Sequence, residues 1–310
     1  MRKFLVTGGA GFIGSHIVEL LVGKGHSVRV LDNFSSGKIE NIRPFLKKLE
    51  VLRGDVRSIS DCKKAARGIE VVLHHAALRS VPKSILNPHG YNEVNIEGTL
   101  NMLEASLKNN VKSFVFASSS SVYGDVRSFP EKEDFPPQPI SPYALTKLSG
   151  EYYCRMFNLH YGLPTVSLRY FNVFGPRQNP DDEYAVVIPK FIKLMLAGKR
   201  PPIFGTGRQS RDFVYVRDVA EANILASGRL GLRGSVINIG SGHNYTVIEL
   251  TRLLNKILHS GIRPRFLGRR PGDVFKTHAD LSMARRLLGF KPRVSLEQGL
   301  KSTVEYFKNV

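Results

Sequence analysis

Short runs rich in β-branched and other apolar residues recur through the first half of the chain, at Lys3–Thr7, Ser27–Leu31, Glu50–Arg53, Val71–His75, Ser113–Ala117 and Thr165–Arg169. The stretches between them carry apolar residues at helical spacing. Strand and helix in alternation predict a parallel sheet covered on both faces, an α/β fold built on a doubly wound, Rossmann-type sheet. Longer helices are predicted over Asn92–Lys108 and Tyr143–His160, the second opened by Ser141 with Pro142 at its first position. After about residue 172 the pattern loosens. A stretch rich in Pro, Gly and Asp, Phe174–Glu183, precedes a helix over Ile188–Ala197, and Arg200–Arg211 is irregular. A strand at Phe213–Val216, a helix at Asp218–Ser227 and a strand at Ser235–Ile239 predict a return to the main sheet. Helices near Thr246–His259 and Ser295–Phe307 then complete a smaller C-terminal α/β lobe. The expected division is 1–172 with 212–240 for the sheet domain, and 173–211 with 241–310 for the lobe.

At 310 residues the chain can bury a large core or form two unequal domains. Hydrophobic residues make up 42% of it, yet no apolar run is long enough to cross a bilayer, so a soluble protein is expected. The opening Met1–Val6 has charge followed by apolar residues, but Gly8, Gly9 and Gly11 cut the run short; it predicts a first strand and not an export signal. Cys62 and Cys154 lie far apart without metal-ligand spacing, which predicts two buried thiols, a reducing compartment and a cytoplasmic location. The formal net charge of +19 attracts anions such as nucleic acid, phosphates or nucleotide sugars. Basic residues are nevertheless spread along the whole chain, and the densest cluster, Arg263 to Arg270, has no stacking aromatics interleaved. A solvated surface is expected over a nucleic-acid site.

Three groups of residues suggest chemistry. Thr7-Gly8-Gly9-Ala10-Gly11-Phe12-Ile13-Gly14 follows a predicted strand and opens a helix, the context in which glycines permit a tight turn and the helix N-terminus receives a pyrophosphate. Asp32 ends the second strand about twenty residues on, where a carboxylate accepts from ribose hydroxyls. With Asn33 and not arginine beside it, NAD is favoured over NADP. Asp55-Val56, after the third strand, could flank an adenine, although a plain strand-end aspartate accounts for it as well. Ser118, Ser119, Ser120 and Ser121 end the fifth strand, on the side where an open parallel sheet binds ligands. Tyr143 and Lys147 lie one helical turn apart, so the ammonium is expected to stabilise a phenolate that would otherwise be a poor base at neutral pH. A serine hydroxyl can relay a proton between a sugar hydroxyl and that phenolate.

With these motifs in place the chain resembles the extended short-chain dehydrogenase/reductases that act on nucleotide sugars, most closely the UDP-hexose 4-epimerases. The resemblance spans the whole length and also rests on His75-Ala76-Ala77, Arg169-Tyr170-Phe171-Asn172, Ser210-Arg211-Asp212 and Arg270-Pro271-Gly272-Asp273. It implies that NAD is surrounded by Gly8, Gly11, Phe12, Ile13, Gly14, Asp32, Asn33, Ser36, Gly37, Asp55, Val56, Ala76, Ala77, Arg79, Asn95, Ser118, Tyr143, Lys147, Tyr170 and Phe171. It places the UDP-sugar against Arg79, Ser119, Ser120, Tyr143, Asn172, Val187, Arg211, Arg270, Asp273 and Thr277, with Arg211 and Arg270 clamping the diphosphate. Ser119, Tyr143 and Lys147 are the implied catalytic set for oxidation and re-reduction at the sugar's C4.

Departures narrow the reading. Dehydratases of this family carry an acid before the Tyr-Gly that closes the serine motif; here Ser120, Ser121 and Val122 stand there, which disfavours elimination and decarboxylation. UDP-glucuronate 4-epimerases are the nearer alternative. Small Thr277, beside the sugar's 2-substituent by resemblance, would admit N-acetylated sugars as well as UDP-Glc and UDP-Gal. Arg79 departs from the glycine of N-acetyl-preferring relatives and could favour a uronate. The family further implies a homodimer through a four-helix bundle of the helices over Asn92–Lys108 and Tyr143–His160. A dinucleotide fold whose work is RNA binding fits the charge, but the Ser119, Tyr143 and Lys147 set opposes it.

Overall fold

The computed structural model describes residues 1–180, 187–268 and 274–309. Its strands are β1 (Lys3–Thr7), β2 (Ser27–Asp32), β3 (Leu49–Arg53), β4 (Val71–His74), β5 (Ser113–Ser119), β6 (Thr165–Tyr170), β7 (Asn172–Phe174), β8 (Pro202–Phe204), β9 (Ser210–Arg211), β10 (Phe213–Tyr215), β11 (Val236–Ile239), β12 (Tyr245–Thr246) and β13 (Arg265–Leu267). Its helices are α1 (Phe12–Gly23), α2 (Ile59–Ala66), α3 (Val81–Leu86), α4 (Pro88–Asn92), α5 (Gly98–Lys108), α6 (Pro142–Tyr161), α7 (Val187–Leu196), α8 (Val216–Ser227), α9 (Val247–Leu258) and α10 (Leu296–Lys308). Among the described residues no helix is long and apolar enough to cross a membrane.

Seven parallel strands form the main sheet in the order β11-β6-β5-β4-β1-β2-β3. The chain leaves β1 toward β2 and β3, then crosses to β4 on the other side of β1. That reversal opens a crevice beyond the C-terminal ends of β1 and β4, the place where such sheets bind ligands. Alternation along each strand feeds two cores. Phe4, Val6, Val30 and Val115 face one side, where α1 and α8 pack; Leu5, Leu31, Phe114 and Phe116 face the other, with α2, α5 and α6. A third core of Phe174, Phe191, Ile203, Phe213, Leu250 and Leu300 belongs to α7, α9, α10 and the short strands.

The expected strands of the main sheet agree within two residues, and three other expectations are corrected. Residues 213–215 do not return to the main sheet: β10 pairs in parallel with β7, and only α8 and β11 rejoin the large domain. Arg200–Arg211, read as irregular, holds β8 and β9, which pair with β13 and β12. The helix expected from Asn92 begins at Pro88, because Asn87 caps it by accepting the Gly90 amide and Pro88 suits its first position. It widens into a π turn at Glu93–Glu97 before α5.

Helix α6 carries Tyr143 and Lys147, and its start and stop follow from sequence. Ser141 accepts the Ala144 amide, Pro142 stands at the first position, and Gly162 ends the helix at φ 70°. Its approach to β5 depends on Gly150, where an ideal Cβ would stand 2.3 Å from the Phe116 ring. We therefore expect Gly150→Val to destabilise the fold by about 2 kcal/mol or more through overpacking. Gly23→Ala, in open space at the end of α1, should cost less than about 0.5 kcal/mol. Equal melting temperatures for the two variants would count against this packing account.

Candidate active site

The glycine turn lies at the mouth of the crevice. Gly8 adopts φ 66° and comes so close to β4 that an ideal Cβ would sit 2.8 Å from the Ala76 amide; one on Gly14 would sit 2.2 Å from the Gly8 carbonyl. Only glycine fits both points. Gly11 occupies the N-cap of α1 with no side-chain capping bond, which leaves the first-turn amides at Phe12 and Ile13 for an anion. Asp32 is buried and accepts the Ala10 amide on Oδ2 (2.9 Å) and the Phe34 amide on Oδ1 (2.8 Å). Burial pushes its carboxyl above the ordinary range against these bonds. Each oxygen keeps a lone pair for a ribose hydroxyl. An ideal Cβ on Gly37 would stand 2.9 Å from both oxygens, so a side chain there would crowd the ribose site; exposed Ser36 is its neighbour. These residues fit a dinucleotide.

Other expected cofactor residues turn out to be partly committed elsewhere. Asn33 donates to Asp55 Oδ2 at 2.9 Å, and hydrogen bonding from Arg57 holds the Asp55 carboxyl well below its usual range despite some burial. Buried Val56 offers its carbonyl to Asn101. Half-buried Ala76 and Ala77 follow β4, and the Ala76 amide donates to Thr7 Oγ1. Asn95 spends its whole amide on the protein: Oδ1 accepts the Leu78 amide, and Nδ2 donates to the Leu78 carbonyl and to Thr146 Oγ1. It therefore shapes the 76–80 loop. Ser118 donates to Glu151 Oε1 at 2.5 Å, so only its backbone remains for the cofactor. The Tyr170 hydroxyl lies between His75 Nε2 and Asn223 Oδ1, 3.0 Å from each, and Phe171 is buried beside Tyr123.

The reactive centre joins the ends of β5 and α6. Tyr143 is half-buried and lies close enough to Ser119 for that hydroxyl to act on its phenol; Ser119 Oγ accepts from the amide (3.2 Å) and hydroxyl (2.9 Å) of Ser121. Ser120 is half-buried beside them. Burial raises the Tyr143 pKa; Ser119 and the Arg79 charge oppose it, and Tyr91 adds to the rise. The cation that pulls this phenol down is thus exposed Arg79. Lys147 shares the helical face and sends Nζ to the Ala117 carbonyl at 2.9 Å, over the Phe116 ring at 5.1 Å. Burial lowers the Lys147 pKa to about 8, with nearby Cys154 and Glu151 resisting. His75, one strand over, is pushed down to about 4 mainly by burial and is neutral.

The sugar side is a hydrogen-bonded knot. Asn172 Nδ2 donates to Thr277 Oγ1 (3.0 Å) and to the Asp212 carbonyl (3.2 Å), and the Asp212 amide also reaches Thr277 Oγ1. Arg211 donates to the Ser210 and Phe275 carbonyls. Val187 opens α7, half-buried against the third core. Arg270 and Asp273 lie outside the described residues. Sequence reasoning overlooked Glu151, which forks onto Arg169 at 2.9 and 2.7 Å while accepting from Ser118. Its signal was the spacing: 143, 147 and 151 repeat every four residues along one helical face. Cys62 and Cys154 are buried thiols as expected, with burial pushing Cys62 up to about 12.

The profile of the NAD dependent epimerase/dehydratase family matches residues 4–240. Among solved structures, the UDP-N-acetylglucosamine 4-epimerase of Methanobrevibacter ruminantium, in complex with UDP-N-acetylmuramic acid, superposes with a TM-score of 0.95 at 42% identity over 99% of this chain and 98% of its own. The UDP-glucose 4-epimerase of Thermotoga maritima, with UDP-glucose, gives 0.94 at 42% over 99% of both chains. A UDP-glucuronic acid 4-epimerase of Bacillus cereus, in complex with UDP-glucuronic acid and NAD, gives 0.92 at 36%, again over 99% of both.

Lys147 also yields a stability prediction. Its ordinary pKa of 10.5 in the unfolded chain falls to about 8 in the fold. Between those values the unfolded chain binds more protons here, so stability rises with pH across that window; below it folding bears the full cost of the buried charge. In cofactor-free protein near neutral pH, Lys147→Met should gain about 2 kcal/mol, the relieved desolvation less the lost Ala117 bond. That advantage should shrink as pH climbs from about 8 toward 10.5, followed by thermal melts; a gap that stays constant, or a variant less stable than wild type at neutral pH, would sink this account.

Proposed function

Because the chain belongs to the NAD dependent epimerase/dehydratase family, we propose that it interconverts UDP-sugars at C4, acting on UDP-Glc/UDP-Gal and also on UDP-GlcNAc/UDP-GalNAc. The observation that carries this reading is the contact of Tyr143 with Ser119 at the sheet's C-terminal edge, with no acid at residues 120–122 to drive elimination. When bound, NAD supplies reversible hydride transfer at the sugar carbon. Gly8 to Gly14 and Asp32 hold its pyrophosphate and ribose, and Gly37 leaves room for the ribose. Ser119 passes the proton of the sugar 4-hydroxyl to Tyr143, which acts as base and then returns it as acid. Lys147, one helical turn on, would hold the nicotinamide ribose and favour the phenolate, while Arg79 and Ser119 oppose the rise that burial imposes on the phenol. Arg211 and Arg270 tether the diphosphate while the 4-keto sugar turns over between the two transfers.

Thr277 supports the admission of an N-acetyl group, because a small side chain here is tied back to Asn172 and Asp212. A second reading, a UDP-glucuronate 4-epimerase, is favoured by one observation: Arg79 brings a cation to the phenol that meets the sugar's C4, one carbon from C5 and its carboxylate. We further propose that two copies pair through α6. Leu145, Tyr152, Met156 and Leu159 form an exposed apolar stripe at spacings of seven, four and three residues, with exposed Ile85 and Leu86 nearby on α3. Tyr152→Glu with Leu159→Glu should then give a monomer by light scattering, and a wild-type monomer would remove the pairing.

Incubation of the purified protein with UDP-Gal, UDP-GalNAc and UDP-GlcA, with products resolved by NMR, distinguishes the readings. The hexose and N-acetylhexosamine pairs should both interconvert, and turnover of the uronate alone would replace the first reading with the second. Tyr143→Phe should lower turnover at least about a hundredfold without loss of bound NAD; near-normal turnover would falsify the assignment of the base. Thr277→Tyr should suppress the acetylated pair selectively, and an equal loss on both pairs would discount position 277.

A further inference from the structure

Most of the +19 charge has no part in the crevice. Its distribution over the sheet is uneven in a telling way. The segments that lead directly into the seven strands, at the end of the sheet opposite the crevice, carry Arg2, Lys24, Lys47, Lys48, Arg67, Lys112, Arg229 and Arg233 against a single carboxylate, Glu70. All but Arg2 among these cations are exposed, and Glu70 accepts the Lys3 amide at 2.9 Å.

These cations form one continuous surface. The Lys112 amide donates to the Glu70 carbonyl, and Glu70 adjoins Lys3 and Arg2 through that amide contact. The Arg2 guanidinium donates to the Ser227 carbonyl, two residues from Arg229. The Gly234 backbone, beside Arg233, packs against Cα of Arg155, another exposed cation. Helix C-termini end on this face and attract cations, which accounts for Arg2 on the last turn of α8. It also accounts in part for Arg229, whose Nη2 donates to the Leu288 carbonyl at 3.4 Å at the end of the helical turn Ala284–Leu288, but not for Arg233; both lie beyond α8 in the glycine-rich loop Gly228–Ser235. At the tip of that loop Leu230 is 93% exposed, and Tyr161, 60% exposed, ends α6 at the same end of the sheet.

We propose that this face docks peripherally on an anionic lipid bilayer, with Arg229, Arg233 and their neighbours at the headgroups, Leu230 entering the interface, and the crevice facing away into water. The exposed leucine decides for lipid over nucleic acid. An aliphatic tip gains by entering an acyl boundary and gains little on a phosphate backbone, whereas single-strand binders use stacking platforms among their cations. Each surface cation gains near an anionic leaflet, within a Debye length of it.

Flotation of the full-length protein with phosphatidylglycerol-containing vesicles tests this. Binding is expected there, at low salt, and not to pure phosphatidylcholine. Arg229→Gln with Arg233→Gln should weaken it by about 30-fold, from the typical contribution of two interfacial cations, with epimerase turnover and melting temperature unchanged. Leu230→Ser should weaken it a few-fold further. Arg263→Gln with Arg265→Gln, an exposed pair on the lobe, should leave it nearly intact. The proposal is overturned if no vesicle binds, or if the lobe pair matters as much as the loop pair, since bulk charge then suffices. Displacement by duplex RNA of a complex insensitive to Leu230→Ser would overturn it too, and would give the face to nucleic acid.

Discussion

Everything at the reactive centre depends on how α6 is fastened to the ends of β5 and β6. Three contacts within little more than one turn do this: Lys147 on the Ala117 carbonyl, Gly150 against the Phe116 ring, and Glu151 in its fork with Arg169. Glu151 and Arg169 are each almost wholly buried, at 3% and 4% side-chain exposure. A pair so deep adds little net stability, because both charges give up water to form it. What it supplies is register. Any rotation or slide of α6 would strand a buried carboxylate or guanidinium, at a cost of about 3–5 kcal/mol when one partner is lost. The register so fixed sets Tyr143 against Ser119.

The same burial creates the electrostatic problem the site has to solve. Tyr143 and Lys147 both lose water, and desolvation drives them toward neutrality from opposite sides: the phenol upward, the ammonium downward. A phenolate beside an ammonium would relieve both, yet Lys147 is turned to a β5 carbonyl. The relief for Tyr143 comes from Ser119 and Arg79. Placement of Arg79 is indirect. The neighbouring Ser80 exchanges hydrogen bonds with the Tyr91 hydroxyl at 2.9 and 2.7 Å, and the Tyr91 ring meets Tyr143 edge-on at 6.5 Å. The loop that positions the cation is therefore braced by a residue touching the tyrosine it tunes.

Much of this was legible in the sequence. Strand alternation, the Gly8–Gly14 turn with Asp32, and the Tyr143 and Lys147 spacing all depend on local pattern, which sequence carries directly. What escaped depends on pairing at a distance. Phe213–Tyr215 is three apolar residues long, and nothing in it says whether its partner is a long strand of the main sheet or the short β7. Glu151 looks like any polar helical residue until Arg169, eighteen positions on, arrives from the neighbouring strand. The Ala117 bond of Lys147 is hidden from sequence for a related reason. Helical spacing fixes which residues share a face, while the choice between a phenol and a strand carbonyl belongs to the packing partner.

The sugar side shows the complementary device, a buried charge held by backbone and not by a counterion. Asp212 is fully buried, and its carboxylate accepts the amides of Ser241, Gly242 and Ala279 and the Ser241 hydroxyl, at 2.7 to 3.1 Å. Burial still raises its pKa against those bonds. Because the donors come from two separate segments, the one carboxylate ties 241–242 and 279 to β10's leading edge, and through Asn172 and Thr277 to the end of β6. Thr277 is thus held at both ends, its hydroxyl by Asn172 and its amide on the Ser210 carbonyl. A wall fixed by backbone amides cannot swing aside to make room. The space beside position 277 is therefore set by the volume of its own side chain, which a small residue on an unbraced loop would not fix.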